Sequence, residues 1–246
     1  MKKRYLLVAL ALLVIVTGFL IYRAKSGANF RYAGTLDSTT TLVSTRVDAE
    51  IIERPAKEGQ WVKKGELIAI LDDDSYQIAA KQLDADFKRY SELYRKGAAT
   101  KAELEQITRS KESNDLSIAW CKIYAPIDGL VVTAYKEVGE YLTAGTAIYC
   151  MINPRDNIYA YFYVPHDFVC QLKLGDTVIG TLPEMPGRKF KGTITKINEE
   201  SEFTPKNVQT REERTRLVYG VKVVFENDDL TLKRGMTIET DFGKKE

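Results

Sequence analysis

Few residues in this chain can carry proton-transfer, metal or nucleophilic chemistry, and they are scattered. There is one histidine, His166, and three cysteines, Cys121, Cys150 and Cys170, none in Cys-x-x-Cys spacing. An odd, dispersed cysteine set is neither a disulfide framework nor a zinc site. These thiols read as small buried apolar groups. A Cys121–Cys150 bridge stays open as a second reading, because the pair flanks one sequence unit. His166 follows a proline on an apparent connector and reads as a surface residue. Asp72-Asp73-Asp74 offers oxygen ligands for a hard cation, but acidic groups also suit a helix N-terminus, and that reading is preferred. The other carboxylates lie in surface-like runs that single out no acid–base pair. No phosphate-cradling glycine loop and no Gly-x-Ser-x-Gly occurs. The expectation is a chain that is not an enzyme and has no cofactor and no metal site.

The elements around these residues are more informative. The 246 residues suffice for one or two domains with a sizeable core. A net charge of +2, from 36 basic and 34 acidic residues, gives no reason to expect nucleic acid as a partner. Lys2, Lys3 and Arg4 precede an uncharged run from Tyr5 to Tyr22. Its length corresponds to roughly 27 Å of helix, enough to cross a bilayer core. Tyr5 and Tyr22 stand where interfacial aromatics would. We read 1–25 as an uncleaved N-terminal membrane anchor; a signal peptide cleaved near Ser26-Gly27-Ala28 is the rival.

A phrase repeats. GQWVKKGELI at 59–68 returns as GEYLTAGTAI at 139–148, with both glycines at one offset, 139 − 59 = 80 and 145 − 65 = 80. Laying 49–71 over 129–151 without a gap aligns Ile51 with Val131, Trp61 with Tyr141, Val62 with Leu142 and Ile68 with Ile148. Each copy reads as strand, glycine turn, strand, with Gly59, Gly65, Gly129, Gly139 and Gly145 as structural turn residues. A unit this short cannot bury a core alone, but two copies packed together can. The expected architecture is one small β-sandwich in two interlocked halves, 43–71 and 122–152.

Between the halves, at 72–121, lies a helical pattern. Tyr76, Ala80, Leu83, Phe87, Tyr90 and Tyr94 follow heptad spacing, and Gly97 fits a helix C-cap. Thr100-Lys101-Ala102-Glu103 reads as a capping box opening a second helix to about Trp120. Leu104, Ile107 and Ile118 keep its register, which Lys111 and Asn114 interrupt. The two form an antiparallel hairpin reaching roughly 30 Å. Near its tip Lys88, Arg89, Arg95, Lys96 and Lys101 face only Glu92. This basic tip reads either as a solvated end or as a docking surface.

The paired halves resemble the biotinyl/lipoyl fold, yet no Met-Lys attachment turn lies between them. An anchor, a split lipoyl-like domain and an inserted hairpin together resemble the membrane fusion proteins, or periplasmic adaptors, of the HlyD-like type. That family's second half often opens Ala-Pro-x-x-Gly, and here it is Ala125-Pro126-Ile127-Asp128-Gly129. Where the first half usually has glycine, this chain has Ala49-Glu50. The family's tip pattern, Arg-x3-Leu-x6-Ser, is matched in spacing by Arg89, Leu93 and Thr100, with threonine for serine. The resemblance implies partner docking by these three residues. Arg89 as a solvated residue and Thr100 as a plain N-cap is the other reading.

After Asn153-Pro154 the pattern is all β: Ile158–Val164, then strands near 176–182, 189–197, 217–226 and 235–242. Within 217–226, Tyr219, Val221, Val223 and Phe225 alternate toward one buried face. Pro165–Phe168 can start a helical turn, and Phe30–Leu42 can return to add a strand to a small barrel. Leu174-Gly175-Asp176, Phe190-Lys191-Gly192 and Leu232–Met236 resemble the adaptor β-barrel domain, placed at 30–42 and 153–246. The stretch Glu202–Thr210 resembles the branch serving ABC-type exporters; as plain sequence, 199–215, with Arg211, Arg214 and Arg216, is a charged surface loop. The expected fold class is mainly β with an inserted α-helical hairpin: a split biotinyl/lipoyl-like β-sandwich plus a small β-barrel and an N-terminal transmembrane helix. By resemblance, the chain is a single-pass protein of the bacterial inner membrane with its bulk in the periplasm. It would form a homo-oligomeric ring linking an inner-membrane exporter to a TolC-type outer-membrane channel. A membrane-tethered biotin or lipoyl carrier, or an envelope scaffold without a transport role, are the alternatives.

Overall fold

The computed structural model describes residues 32–203 and 217–242. The expected anchor lies outside them, as do 204–210 and Arg211, Arg214 and Arg216. Among the described residues no helix is long and apolar enough to cross a membrane.

The described chain opens with β1 (Tyr32–Ser38) and β2 (Thr40–Ser44). The first half of the echo forms β3 (Ala49–Glu53), β4 (Trp61–Val62) and β5 (Leu67–Leu71). Helices α1 (Asp74–Arg95) and α2 (Lys101–Trp120) follow, then β6 (Lys122–Tyr124). The second half forms β7 (Gly129–Ala134), β8 (Tyr141–Leu142) and β9 (Ala147–Ile152). The remainder is β10 (Ile158–Pro165), α3 (His166–Val169), β11 (Thr177–Thr181), β12 (Lys189–Ile197), β13 (Glu202–Phe203), β14 (Leu217–Phe225) and β15 (Thr237–Thr240). Two compact units result. One holds Ser38–Ile158 with Asp228–Thr231; the other holds the described residues up to Asp37, Tyr159–Asn227, and those from Leu232 on.

The first unit contains two four-stranded sheets, β2-β9-β7-β4 and β6-β5-β3-β8. Each draws strands from both halves of the echo, and the pairing is reciprocal under the 80-residue offset. Ala49 faces Leu142 and Glu50 faces Tyr141; their counterparts Gly129 and Leu130 face Val62 and Trp61. Gly139 N–H donates to Ile51 O at 2.9 Å, as Gly59 N–H donates to Val131 O at 2.8 Å. Gly145 N–H reaches Thr45 O at 2.9 Å, as Gly65 N–H reaches Ala125 O at 2.8 Å. The halves are thus related by a pseudo-twofold, each supplying the hydrogen bonds the other lacks. Between the sheets sits a shared core in which Ile51 and Val131, Val62 and Leu142, and Ile68 and Ile148 are all buried. The match breaks at Tyr149, whose counterpart is Ala69; the buried Tyr149 hydroxyl lies 2.9 and 3.1 Å from the carbonyl oxygens of Ile68 and Ala56. Burial pushes this phenol up to about 12.

In the second unit the strand order β10-β1-β15-β11-β12-β14 closes, because β14 also pairs with β10; β13 adds to β14. This is the expected small barrel. Alternation along β10 sends Ile158, Ala160, Phe162 and Val164 into its interior. Phe162 meets Phe225 edge-on, with centroids 6.2 Å apart. On β14 the alternation slips: Val221, Val223 and Phe225 are buried as expected, but upstream it is Val218 and Gly220, not Tyr219. The returning N-terminal strand is β1, which pairs antiparallel with β15. Thr40–Ser44 does not continue it. It pairs with β9, so residues 40–42 lie in the sandwich, not in the barrel segment the sequence pattern assigned. Hydrophobic alternation identifies a strand, not the sheet it joins.

Candidate docking site

The hairpin between the sandwich halves carries every candidate docking residue. On α1 the half-buried stripe runs through Tyr76, Ala80, Leu83, Phe87 and Tyr90 as expected, then through Leu93; Tyr94 is 44% exposed. On α2 the half-buried positions include Leu104, Ile107, Lys111, Asn114 and Ile118. Lys111 and Asn114 therefore do not interrupt the seam; they are part of it. Lys111 Nζ pairs with Asp84 of α1, and Asn114 Nδ2 donates to Tyr76 O at 2.9 Å. The Lys111 ammonium is pushed up and the Asp84 carboxyl down, each chiefly by their mutual hydrogen bond. Neither helix has a fully buried residue. Polar links and one half-buried stripe hold the hairpin together.

At the tip, α1 ends in a Schellman motif. Ala98 N–H donates to Leu93 O at 2.8 Å and Gly97 N–H to Tyr94 O at 2.9 Å. Gly97 takes φ +75°, the left-handed conformation this closure needs. Leu93 thus serves the turn with its carbonyl and the seam with its side chain. Arg89, one helical turn earlier on the same face, has a side chain 64% exposed; its guanidinium lies 2.6 Å from Asp86 and 5.5 Å from the Tyr90 ring centroid. Thr100 caps α2: its Oγ1 accepts from Glu103 N–H at 3.3 Å, while Thr100 N–H donates to Glu103 Oε2 at 2.7 Å. Those bonds from Thr100 hold the Glu103 carboxyl below its ordinary value. The structure places Leu93 and Thr100 at the turn and Arg89 one helical turn before Leu93, with Arg89 presented outward and Thr100 engaged in its cap.

At the hairpin base, Asp73 is the N-cap of α1 and Asp74 opens its first turn. Asp72 Oδ1 accepts from Asp74 N–H at 2.9 Å, and Asp73 Oδ2 from Gln77 Nε2 at 3.0 Å. The cluster serves as a helix start. Cys121 and Cys150 are buried, Cys170 is exposed against expectation, and all three are free, so no Cys121–Cys150 bridge forms. Burial, with Asp73 and Asp72 nearby, pushes the Cys121 thiol up to about 11. His166 is exposed at the start of α3.

Gly59, Gly65, Gly139 and Gly145 all have φ between +78° and +91°. Gly129 is different: a Cβ there would lie 2.3 Å from Ile152 O, so close backbone approach, not a turn, requires it. Sequence reasoning passed over one further matched pair. Asp128 Oδ1 accepts from Lys64 N–H at 2.8 Å, and Asp48 Oδ1, 80 residues earlier, from Ala144 N–H at 2.7 Å. Each carboxylate pins the second glycine turn of the opposite half. Extending the overlay by one residue toward the N-terminus would have aligned them.

Residues 39–153 match the family model for the barrel-sandwich hybrid domain of RND membrane fusion proteins. The chain is 34% identical over 119 residues to a UPF0194 membrane protein of Acidithiobacillus ferridurans, covering 48% of this chain and 34% of that one. It is 27% identical over 199 residues to a UPF0194 membrane protein of Enterobacter sp. (strain 638), covering 77% and 59%. The matched regions thus span about a third and three-fifths of these two relatives' lengths. Among solved structures, a MacA-MexA chimeric protein containing the Pseudomonas aeruginosa MexA alpha-hairpin domain shares the fold. Its TM-score is 0.66 at 21% identity, with 86% of this chain and 77% of that one covered.

Proposed function

From the chain's membership of the membrane fusion, or periplasmic adaptor, family, we propose that it is the adaptor subunit of a bacterial efflux or secretion system. It joins an inner-membrane exporter, of the ABC type by the resemblance of its Glu202–Thr210 stretch, to a TolC-type outer-membrane channel. The chain is held in the inner membrane by its N-terminal run with its bulk in the periplasm, and works as a ring of copies. The UPF0194 relatives' description as membrane proteins accords with an envelope location.

The observation that carries this reading is the hairpin. Its ends are tied into a sandwich whose two halves bond each other reciprocally, and it joins that core at its base, through Tyr76 and Cys121. It buries no residue fully, yet it keeps a Schellman turn, a capping box and a charged tip in which Arg89 pairs with Asp86 and Lys101 with Glu105. A short hairpin that adds so little core is explained by what its tip meets. Arg89 is the outward group there: it pairs with Asp86 beside the Tyr90 ring and presents its remaining donors to solvent, where they suit a carboxylate-bearing surface. The role is mechanical: to align and seal a conduit across the periplasm. Arg89→Asp reverses that charge at an exposed position. Export in cells is expected to be lost while circular dichroism and protein level stay unchanged. Wild-type export by Arg89→Asp would defeat the docking role. Leu93→Ser should also abolish export, but Leu93 also packs in the seam, so Arg89→Asp is the cleaner variant.

A further inference from the structure

Alternation along β10 turns Tyr159, Tyr161 and Tyr163 to the outside of the barrel, all three half-buried. On β12 the matching outward positions are Lys189, Lys191 and Thr193, the polar finish that a solvated face takes. The tyrosine row instead walls an open cleft of about 740 Å³, completed by Thr35 and Asp37 of β1 and by Arg234. The cleft lies wholly within the barrel unit. On its other side β10 pairs with β14, where Lys222 Nζ lies 3.7 Å from the Tyr159 ring centroid. Gly220 of β14 carries no side chain, and the Asn198 amide takes that space: a Cβ there would lie 2.8 Å from Asn198 Nδ2 and 3.7 Å from Tyr161 Cδ1.

The polar groups of the cleft are unevenly used. Among the described residues none of the three phenol hydroxyls has a hydrogen-bond partner, and the Lys222 ammonium pairs with no carboxylate. Burial pushes the Tyr159 and Tyr163 phenols up, so both stay protonated donors at neutral pH. The acceptors are engaged or closed. Asp37 Oδ1 accepts from Arg234 Nε at 2.7 Å, and Glu202 Oε1, at the Tyr163 end, from Asn198 Nδ2 at 3.0 Å. Asn198 Oδ1 is buried. A phenol donates or accepts, but an ammonium and a guanidinium only donate. The cleft is therefore rich in open donors and poor in open acceptors. Its rings are not coplanar: Tyr159 and Tyr161 meet at 88° with centroids 5.8 Å apart. Perpendicular rings make a notch, not the flat platform on which a sugar ring stacks.

We propose that this cleft docks a proline-rich segment of a partner protein, held as a polyproline II helix with an acidic residue at the Tyr159 end. Such a helix leaves its backbone carbonyls free, and its prolines bring no N–H that needs an acceptor. That is the complement of a donor-rich, acceptor-poor groove. Pyrrolidine rings fill notches between aromatic side chains, the way proline-rich segments are held elsewhere. Tyr159 to Tyr163 spans about 13 Å of strand, the length of about four polyproline II residues. The acidic residue gives Lys222 the carboxylate it lacks. A saccharide presents donors along with acceptors, and would leave hydroxyl hydrogens unmatched here. The site does not depend on the role of the hairpin.

The test uses the full chain in mild detergent and a fluorescent peptide, Glu-Pro-Pro-Ala-Pro-Pro, carrying a photo-reactive group. Anisotropy should show saturable binding, and the cross-link should map to Tyr159–Tyr163 or to β1 and β14 beside it. Exchanging the peptide's prolines for alanine should abolish binding. Exchanging its glutamate for lysine should weaken binding about tenfold. On the protein, Tyr161→Ala should cost about tenfold. Lys222→Glu should weaken the glutamate peptide and recover the lysine peptide. Tyr163→Phe, which keeps the ring, should cost about threefold through the lost donor. If Tyr161→Ala lowers the melting temperature, the charge swap and Tyr163→Phe decide. Absence of saturable binding at millimolar peptide, equal binding of the alanine peptide, unchanged affinity in the variants, or a cross-link elsewhere would overturn the proposal. Binding of tri-N-acetylchitotriose without binding of the peptide would make this a saccharide site and overturn it too.

Discussion

Asp48 and Asp128 are 80 residues apart and do one job twice: each carboxylate accepts a backbone N–H from the opposite half's turn, at 2.7 and 2.8 Å. A hydrogen bond to a charged acceptor at an exposed site contributes about 1 kcal/mol. Asp48→Ala and Asp128→Ala should therefore each lower unfolding stability by about 1 kcal/mol, and by amounts equal to within a few tenths. Chemical denaturation of the two variants checks this; a cost at one position and none at the other would contradict the twofold account. The sandwich was legible in the sequence because this symmetry is written in glycines, which left-handed turns require. The Asp pair was not singled out because an isolated Asp in a polar loop has no signature of its own. Gly129 was seen as a turn residue, but what it avoids is a clash with a strand 23 positions away, Ile152, which local reading does not see.

The hairpin shows the same limit at the scale of elements. Helix starts and stops were readable, since Thr100 with Glu103 and Gly97 act within a few residues of themselves. Lys111 and Asn114 look like breaks in the heptad pattern because their partners, Asp84 and the Tyr76 carbonyl, lie on the other helix. Leu93 stands in the seam where the heptad pattern puts Tyr94, and its carbonyl accepts the Schellman bond from Ala98 N–H. The α2 cap also carries a pH dependence. Glu103 is held below its ordinary value of 4.5 by hydrogen bonds from Thr100. A depressed carboxyl contributes stability that is present above its ordinary value and is lost as pH falls through the folded value. The first turn of α2 should therefore fray as pH drops below 4.5, seen in the amide chemical shifts of Ala102 and Glu103. Glu103→Gln, which keeps a neutral cap, should give a flat response over the same range. A wild-type response as flat as the variant's would show that the cap does not depend on the charge.

Across the whole molecule, the sandwich, the hairpin and the barrel each follow from a different sequence period: an 80-residue echo, a heptad and a two-residue alternation. Those periods name the elements but do not say which sheet takes a strand, so the pattern assigns residues 40–42 to the barrel although they belong to β2, which pairs with β9. The functional claim rests on the part that adds least to the core, the hairpin and its charged tip. One measurement tests it most directly: a photo-cross-linking residue placed at Arg89 in the full chain in living cells, with the captured partner identified by mass spectrometry. The adaptor account predicts an adduct with an outer-membrane channel, lost when the channel is deleted. An adduct confined to other copies of this chain, or to proteins other than an outer-membrane channel, would contradict it.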